Sequence, residues 1–380
     1  MEKNFDILLK KTDYGKQMSN ILVTAAGSPG FITVCKAILS CNPLAQIHGC
    51  DINPKSIGLR FAKKSFIVPP GNHPEYAECV FQYCKINNIE VIIPGADEEL
   101  IPLSNQKNRF ASIGCKILVS KVKSLENILD KSALYLKCSE VSSLKEAIPS
   151  YFSCSNAKQF SEAYKKLTAS GHQVCVKPAI THGSRGFRVI NPEISKKDFF
   201  EKKPSSRSIT LQSILNILKE GDGTFPKLLV MEYLPGEEFS VDCIKSDNEF
   251  YCVTRRRDII KDGICSSGEA IKKDDLIILS KDFYQKLDLE YNVNLQFRYD
   301  SAGNPKLLEI NPRLSGTLEL CRGAGVNFVS LGLDALLEID SKKSVEIKWG
   351  TKMQRVWEEV FFFEDETFTL ENVNDVLKQF

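Results

Sequence analysis

The sequence predicts an α/β protein of two or three domains, with a doubly wound parallel sheet at its N-terminal end and an α+β region behind it. Three features carry that expectation. Apolar runs alternate with helix-like segments from Asn20 to about Ser120, a strand with a lysine and a Gly-rich loop follows at 172–190, and a hairpin with one polar face spans 292–313. A chain of 380 residues, 43% hydrophobic and 26% charged, has enough apolar material for that many layers.

The N-terminal region opens with "NILVTAAGSPGFITVCKAIL": an apolar strand, a tight Gly-rich turn, then apolar positions at helical spacing. "AQIHGCDINP", "SFIVPP", the helical "PEYAECVFQYCKINN" and "IEVIIPGADEEL" continue the alternation. Gly27, Gly30 and Asp51 raise a dinucleotide fold, in which bare backbone approaches a pyrophosphate and the acid holds a ribose. "GSPG" lacks the GxGxxG spacing, so a tight strand-to-helix connection is expected instead.

In "ENILDKSALYLKCSE", Asp130 is expected to cap or lead a helix that carries Lys131. In "HQVCVKPAITHGSRGFRVI", Val174 and Val176 share one strand face, and Cys175 and Lys177 share the other. The loop with Gly183, Ser184 and Gly186 can lay backbone amides along a phosphate, with Lys177 as a point charge. A hairpin turn with a solvated lysine is the alternative. The Lys- and Ser-rich stretch 191–227 reads as a decorated connection with one helical piece. "KLLVMEYLPGEEFSVDCI" then gives a strand, a Pro-Gly break and a second strand that begins near Glu238. Backbone groups freed at such a break suit a flat heterocycle edge, and Glu238 suits ribose hydroxyls. An ordinary crossover turn with exposed acids competes with that interpretation.

"NVNLQFRYDSAGNPKLLEINPR" alternates on both sides of a "DSAGNP" turn. Pairing Tyr299 with Lys306 puts Gln296 opposite Glu309, with Asn311 two residues along the same face; Leu295, Phe297, Leu308 and Ile310 form the core face. Three oxygen donors on one face suit magnesium, a hard cation that takes a few protein oxygens and substrate phosphates. Arg313, beyond Pro312, can then reach a transferring phosphoryl group or a developing oxyanion. A surface strand with a Glu309–Arg313 ion pair is the bland alternative, opposed by the ordered presence of Lys131, Lys177 and the Gly loop.

With "VKP...HGSRGF", "MEYLPGEEFSVD", "NLQF" and "EINPRLSGT" in this order, the chain resembles the ATP-grasp enzymes over nearly its whole length. It is most similar to relatives of the carbamoyl-phosphate synthetase large subunit and of the PylC-type ligases. The resemblance implies a pre-ATP-grasp, Rossmann-like doubly wound parallel sheet over residues 1–122, followed by a two-subdomain α+β ATP-grasp clamp over 123–345. The small subdomain would reach about 233, the hinge would be 231–235, and a small C-terminal subdomain would occupy 346–380, where "TKMQRVWEEVFFF" reads as a closing strand. It implies that Lys131 and Lys177, with Gly183, Ser184 and Gly186, contact ATP phosphates. The backbone of Glu232, Tyr233 and Leu234 would hold adenine and Glu238 the ribose. Gln296, Glu309 and Asn311 would bind metal, and Arg313, with Lys177, would serve catalysis. Gln296 departs from the carboxylate that many ATP-grasp enzymes carry there.

The implied activity is ATP-dependent carboxylate–amine ligation through an acyl phosphate, releasing ADP and phosphate, with ATP and Mg2+ as cofactors and Mn2+ as a substitute. Small-molecule carboxylate and amine substrates are the expected partners, and a homodimer is compatible with the family. A non-catalytic nucleotide sensor and a carbamoyl-phosphate-type phosphorylating enzyme are alternatives; only one synthetase unit is present, which disfavours a full carbamoyl-phosphate synthetase. Arg255, Arg256, Arg257 and the acids of "GADEE" are candidates for contacting the acceptor, a solvated strand end being the alternative for "TRRR".

A net charge of +2 without a long one-sign block provides no footprint for nucleic acid or an anionic membrane. No apolar stretch approaches the roughly 20 residues that cross a bilayer, and the polar opening lacks a secretory core, so a cytoplasmic location is expected. The 13 cysteines lie singly with no CxxC pair and are expected to be reduced core residues; with four histidines, a histidine metal site is not expected.

Overall fold

The computed structural model describes residues 20–181, 185–191, 208–221, 224–246, 248–261, 263–340, 345–356, 358–363 and 366–368. Strands β1 (Asn20–Val23), β2 (Gln46–Asp51), β3 (Lys64–Ile67), β4 (Val91–Ile93) and β5 (Lys116–Ile117) form an all-parallel sheet ordered β3-β2-β1-β4-β5. Its central strands β1 and β4 are near-continuous apolar runs because both faces are covered, whereas the edge strand β3 is largely exposed. Ile21 and Val23 pack with Phe31, Val34 and Ile38 of the helix Phe31–Cys41, whereas Leu22 and Ile92 pack with Tyr76, Val80 and Cys84 of the helix Tyr76–Ile86. The strand order reverses between β1 and β4, and the crevice at their carboxyl ends is where open α/β sheets take ligands.

The next sheet, β6-β10-β7-β8-β9, contains β6 (Tyr151–Cys154), β7 (Val174–Pro178), β8 (Arg188–Ile190), β9 (Ser208–Ile209) and β10 (Leu228–Glu232). Val174 and Val176 bury one face of β7 against Phe160 and Leu167 of the helix Ala157–Ala169. The third sheet is antiparallel and six-stranded, β15-β14-β11-β12-β13-β16, from β11 (Glu238–Ser246), β12 (Glu249–Lys261), β13 (Ile264–Ala270), β14 (Val293–Tyr299), β15 (Pro305–Asn311) and β16 (Lys352–Gln354). Phe239, Val241, Leu295, Phe297, Leu307 and Ile310 pack on Leu276 and Phe283 of the helix Asp274–Lys286. Leu314 to Leu336 share a core with the helix Phe31–Cys41, so apolar contact binds the first region to the third sheet.

Two expectations are corrected. In the β14–β15 hairpin Tyr299 pairs with Pro305, not Lys306, and a bulge between Phe297 and Gln296 restores the pairing of Gln296 with Glu309. The extra residue is Leu308, so Leu307 rather than Leu308 takes the core position. At the C-terminal end, Lys352–Gln354 pairs with β13 as the edge strand of the large sheet. Beyond it, β17 (Phe361–Phe363) and β18 (Glu366–Phe368) form a separate two-stranded sheet. Among the described residues no helix is long and apolar enough to cross a membrane. All 13 cysteines are free thiols, buried except for Cys41 and Cys79.

Candidate active site

Two adjoining cavities lie on the polar face of the large sheet. The first, between the second and third sheets, is lined by Lys131, Lys177, the strand end Glu232–Leu234, Glu238, Arg298 and Leu308, with Gln296 and Glu309 at its far wall. Asp130 caps the helix Lys131–Ser139 by accepting from the amides of Ser132 and Ala133, as its place in the sequence predicted. That cap delivers Lys131, whose Nζ donates to the Thr181 carbonyl at 2.7 Å and lies 3.3 Å from Glu309 Oε2. Lys177 is not solvated: it is 8% exposed, and its Nζ donates to the Leu308 carbonyl (2.9 Å) and the Tyr135 hydroxyl (3.1 Å). The bulge sets Leu308 outside the ladder register, and its carbonyl also accepts from Tyr135.

Gly186 has a φ of +74°, and a Cβ there would meet the Pro178 ring at 2.7 Å, so the chain returns onto β7 only as glycine. The phosphate-loop expectations for Gly183 and Ser184 lie outside the described residues. At the strand break the expected open backbone is narrower than the sequence suggested. β10 is paired on both sides, so the Glu232 amide donates to Ser150 and the Tyr233 amide to Gln173. The Glu232 carboxylate accepts from the Ser150 amide and lies 3.3 Å from His172 Nδ1. Among the described residues only the Leu234 amide of these three has no protein acceptor, and it lines the cavity. Glu238 sits between Arg257, which donates to its Oε1, and Arg298, 3.9 Å from its Oε2. Arg298 also lies over the Tyr233 ring.

Burial, aided by the nearby Lys131 ammonium, pushes the Lys177 pKa down to about 8. If Lys177 meets the phosphates of a nucleotide, phosphate favours its charged form, and binding would carry a proton onto it once pH exceeds that value. Calorimetric affinity for Mg·ADP is expected to be flat from pH 6.5 to 7.5 and to fall by up to about tenfold per unit above 8. Lys177→Arg should abolish the fall, because a guanidinium stays charged; a wild-type affinity that is flat to pH 9.5 would place Lys177 away from the phosphates.

Gln296, Glu309 and Asn311 lie together, as the sequence predicted: Gln296 and Glu309 line both cavities, and Asn311 lines the second. Burial pushes the Glu309 carboxyl up, but Lys131, Lys177 and the Asn311 amide outweigh it and hold the pKa below its ordinary value. Glu309 is thus an ionised oxygen donor. Asn311 donates its Nδ2 to Glu309 at 3.2 Å, and its amide oxygen has no donor among the described residues. Gln296 Oε1 already accepts from Arg257 at 3.0 Å. One carboxylate and two amide oxygens beside a phosphate-sized cavity fit a divalent hard cation that keeps water and phosphate ligands. Among the described residues no cluster of three or more His, Cys, Asp or Glu offers a self-sufficient metal cage.

The second cavity opens at the sheet crossover and is lined by Thr24, Ser28, Gly30 and Gly95 on one side, and by Arg257, Asn294, Arg313 and Ser315–Thr317 on the other. A Cβ at Gly30 would lie 3.2 Å from the Gly316 Cα, so the Gly-rich turn serves close approach of the "SGT" loop. Asp51 is consumed locally, accepting from the Gly27 and Asn53 amides and the Ser56 hydroxyl, which opposes the dinucleotide alternative. Arg313 does not pair with Glu309. Its Nε and Nη2 donate to the two oxygens of Asp97 at 2.7 and 3.2 Å, across 216 residues of sequence. Glu99 braces the turn that presents Asp97, accepting from Thr24, Gly95, Ala96 and Tyr76.

The "TRRR" stretch is no solvated strand end. Arg255 is fully buried, paired with Asp242 and donating to Thr317 Oγ1 (2.6 Å) and Ser315 Oγ (3.1 Å), so it shapes the loop after Arg313. Arg256 points outward to Glu237, Asp258 and Glu269. Arg257 enters the site. The alternation that found Gln296 could also have found Arg298, two residues along the same face; Tyr135 carried no comparable local signal, and Asp97, one of the acids of "GADEE", was singled out without its arginine partner.

Residues 224–359 match the family model described as ATP-grasp in the biosynthetic pathway with Ter operon, and residues 21–118 match the PylC-like N-terminal domain. Among curated proteins no sequence matches significantly. Solved structures of similar fold include the biotin carboxylase domain dimer of Hydrogenobacter thermophilus 2-oxoglutarate carboxylase in complex with Mg-ADP, ADP and bicarbonate. Its TM-score is 0.64 at 15% identity, over 89% of this chain and 74% of that one. N5-carboxyaminoimidazole synthetase from Staphylococcus aureus, complexed with ADP, has a TM-score of 0.62 at 12% identity over 88% of this chain and 81% of that one. Biotin carboxylase from Campylobacter jejuni has a TM-score of 0.61 at 14% identity over 86% and 72%. The two family models match different parts of the chain on one ATP-grasp architecture, so this is an ATP-grasp protein, with the ATP-grasp match at residues 224–359 and a PylC-like domain at its N-terminal end.

Proposed function

We propose that this chain is an ATP-dependent carboxylate–amine ligase that forms an amide through an acyl phosphate and releases ADP and phosphate. The observation that carries it is the shared wall: Glu309 and Gln296, with Asn311 beside them on the second cavity, stand between a cavity with two buried lysines and a cavity with two arginines. Nucleotide phosphates in the first would face an acceptor in the second across the oxygen donors. In this proposal Lys131 and Lys177 neutralise the phosphates, with Gly186 and the neighbouring Gly183 and Ser184 completing the loop. The Leu234 amide at the Glu232–Leu234 strand end meets the adenine edge, and Glu238 takes the ribose.

Glu309, Asn311 and Gln296 would hold Mg2+, which when bound supplies positive charge to the phosphates; Mn2+ suits the same oxygens. A carboxylate oxygen of the acceptor attacks the γ-phosphorus, and ADP leaves with the electron pair of the broken bond. An amine nitrogen then attacks the acyl carbon, phosphate departs, and the amine gives up a proton. No step requires a covalent protein nucleophile; the side chains position the reactants and neutralise charge. Arg313, held by Asp97 at the acceptor side, is placed for the charge that develops on the acyl phosphate. The proposal includes the division at about 122, 233 and 345, a cytoplasmic location, and compatibility with a homodimer.

The test is a screen of amino acids and other carboxylates, bicarbonate included, for ATP cleavage, with mass spectrometry of the products. ADP and phosphate are expected, since attack is at the γ-phosphorus. AMP and pyrophosphate would mean adenylation and would overturn the proposal.

A further inference from the structure

Arg257 stands at the boundary of the two cavities. It lines the acceptor side, yet its Nη1 donates to Glu238 Oε1 and Gln296 Oε1 on the nucleotide side, and its Nη2 donates to the Gly263 carbonyl at 2.7 Å. Its side chain is 6% exposed, Glu238 is its only ion-pair partner among the described residues, and its Nε is buried with no hydrogen-bond partner. The ladder explains the placement. Arg256 pairs with Phe239, so Arg257 falls beside Glu238, and the irregularity after it at Asp258 turns the strand toward the cavity.

We propose that Arg257 is exchanged between the two cavities: without nucleotide it occupies the carboxylate of Glu238, and when ribose hydroxyls take that carboxylate it is released to bind an anionic group of the acceptor. This rests on the assignment of Glu238 to the ribose. Separated from Glu238, the guanidinium keeps two neutral oxygens, those of Gln296 and Gly263, and one N–H that already lacks an acceptor. A buried cation left without a counter-charge is costly, and an anion that enters the acceptor cavity removes that cost. Arg313 keeps Asp97 as its counter-charge whether or not nucleotide is bound, so it is not the cation that nucleotide would release. The acceptor is accordingly anionic where it meets Arg257, as a carboxylate or its phosphorylated form is, and nucleotide and acceptor reinforce each other's binding.

Calorimetry tests both halves. Arg257→Gln is expected to bind Mg·ADP about fivefold or more tighter than the wild type, because Glu238 is no longer occupied. The gain should vanish with 2′,3′-dideoxy-ADP. Inorganic phosphate, used as the anion probe, should tighten Mg·ADP binding to the wild type and leave Arg257→Gln unaffected. Arg257→Lys, whose single ammonium cannot span Glu238, Gln296 and Gly263 together, should shift the same way by less, and it keeps the test open if the glutamine variant does not fold. Unchanged or weaker Mg·ADP affinity in a folded variant, a gain that persists with the dideoxy nucleotide, or a phosphate effect that survives the substitution would each overturn the proposal. Wild-type protein that binds no Mg·ADP would instead bring down the nucleotide assignment itself.

Discussion

Arg313→Ala is expected to keep near-normal Mg·ATP affinity and to lose turnover by about a hundredfold or more. The split follows from position: Arg313 lines the acceptor cavity and not the nucleotide cavity, so its contacts matter most where charge develops during transfer. A complication arises from Asp97, which is 5% exposed and would lose the guanidinium that neutralises its buried carboxylate. The single variant should therefore also unfold at lower temperature. Adding Asp97→Asn removes that charge, so the double variant should recover thermal stability without recovering rate. Normal turnover in a stable double variant would make Arg313 only a tie between the PylC-like domain and the large sheet.

Glu309→Gln carries an effect of similar or larger size, and its sign depends on the metal. The carboxylate is the sole acid in the shared wall and the counter-charge of two buried lysines. Its loss should lower turnover by about a hundred- to a thousandfold, the several kcal/mol that a bound ion supplies to phosphoryl transfer. Nucleotide binding should respond differently. With Lys131 and Lys177 left uncompensated, metal-free ADP should bind at least as tightly as to the wild type, while the gain on adding Mg2+ should disappear. Calorimetry of ADP with and without Mg2+ decides it: a Mg2+ gain that survives in Glu309→Gln would move the metal away from this strand.

The site was legible where local rules reach. Asp130 before a helix implied a cap, and the alternation of "VCVK" set Lys177 opposite the buried valines. Two-residue periodicity on both arms of the hairpin put Gln296, Glu309 and Asn311 on one face. The bulge shows how narrow that success was. A pairing error at Tyr299 was cancelled by one extra residue at Leu308, which alternation cannot anticipate, since a bulge inserts a residue without a change of composition.

By itself the sequence determined the order of strands and helices, the parallel first sheet and the set of polar residues on the β14–β15 face. Each follows from periodicity, caps and turn residues within a few positions of one another. Only the tertiary structure decided which charge meets which. Arg313 found Asp97 rather than its neighbour Glu309, Arg255 was sealed against Asp242 under the "SGT" loop, and Arg257 reached Glu238. A buried cation must be paired, but the rule does not name the partner. The packing of the first sheet against the third brings Asp97 and Arg313 together, and the β11–β12 ladder puts Glu238 beside Arg257, so these pairings are set by contacts between elements distant in the chain.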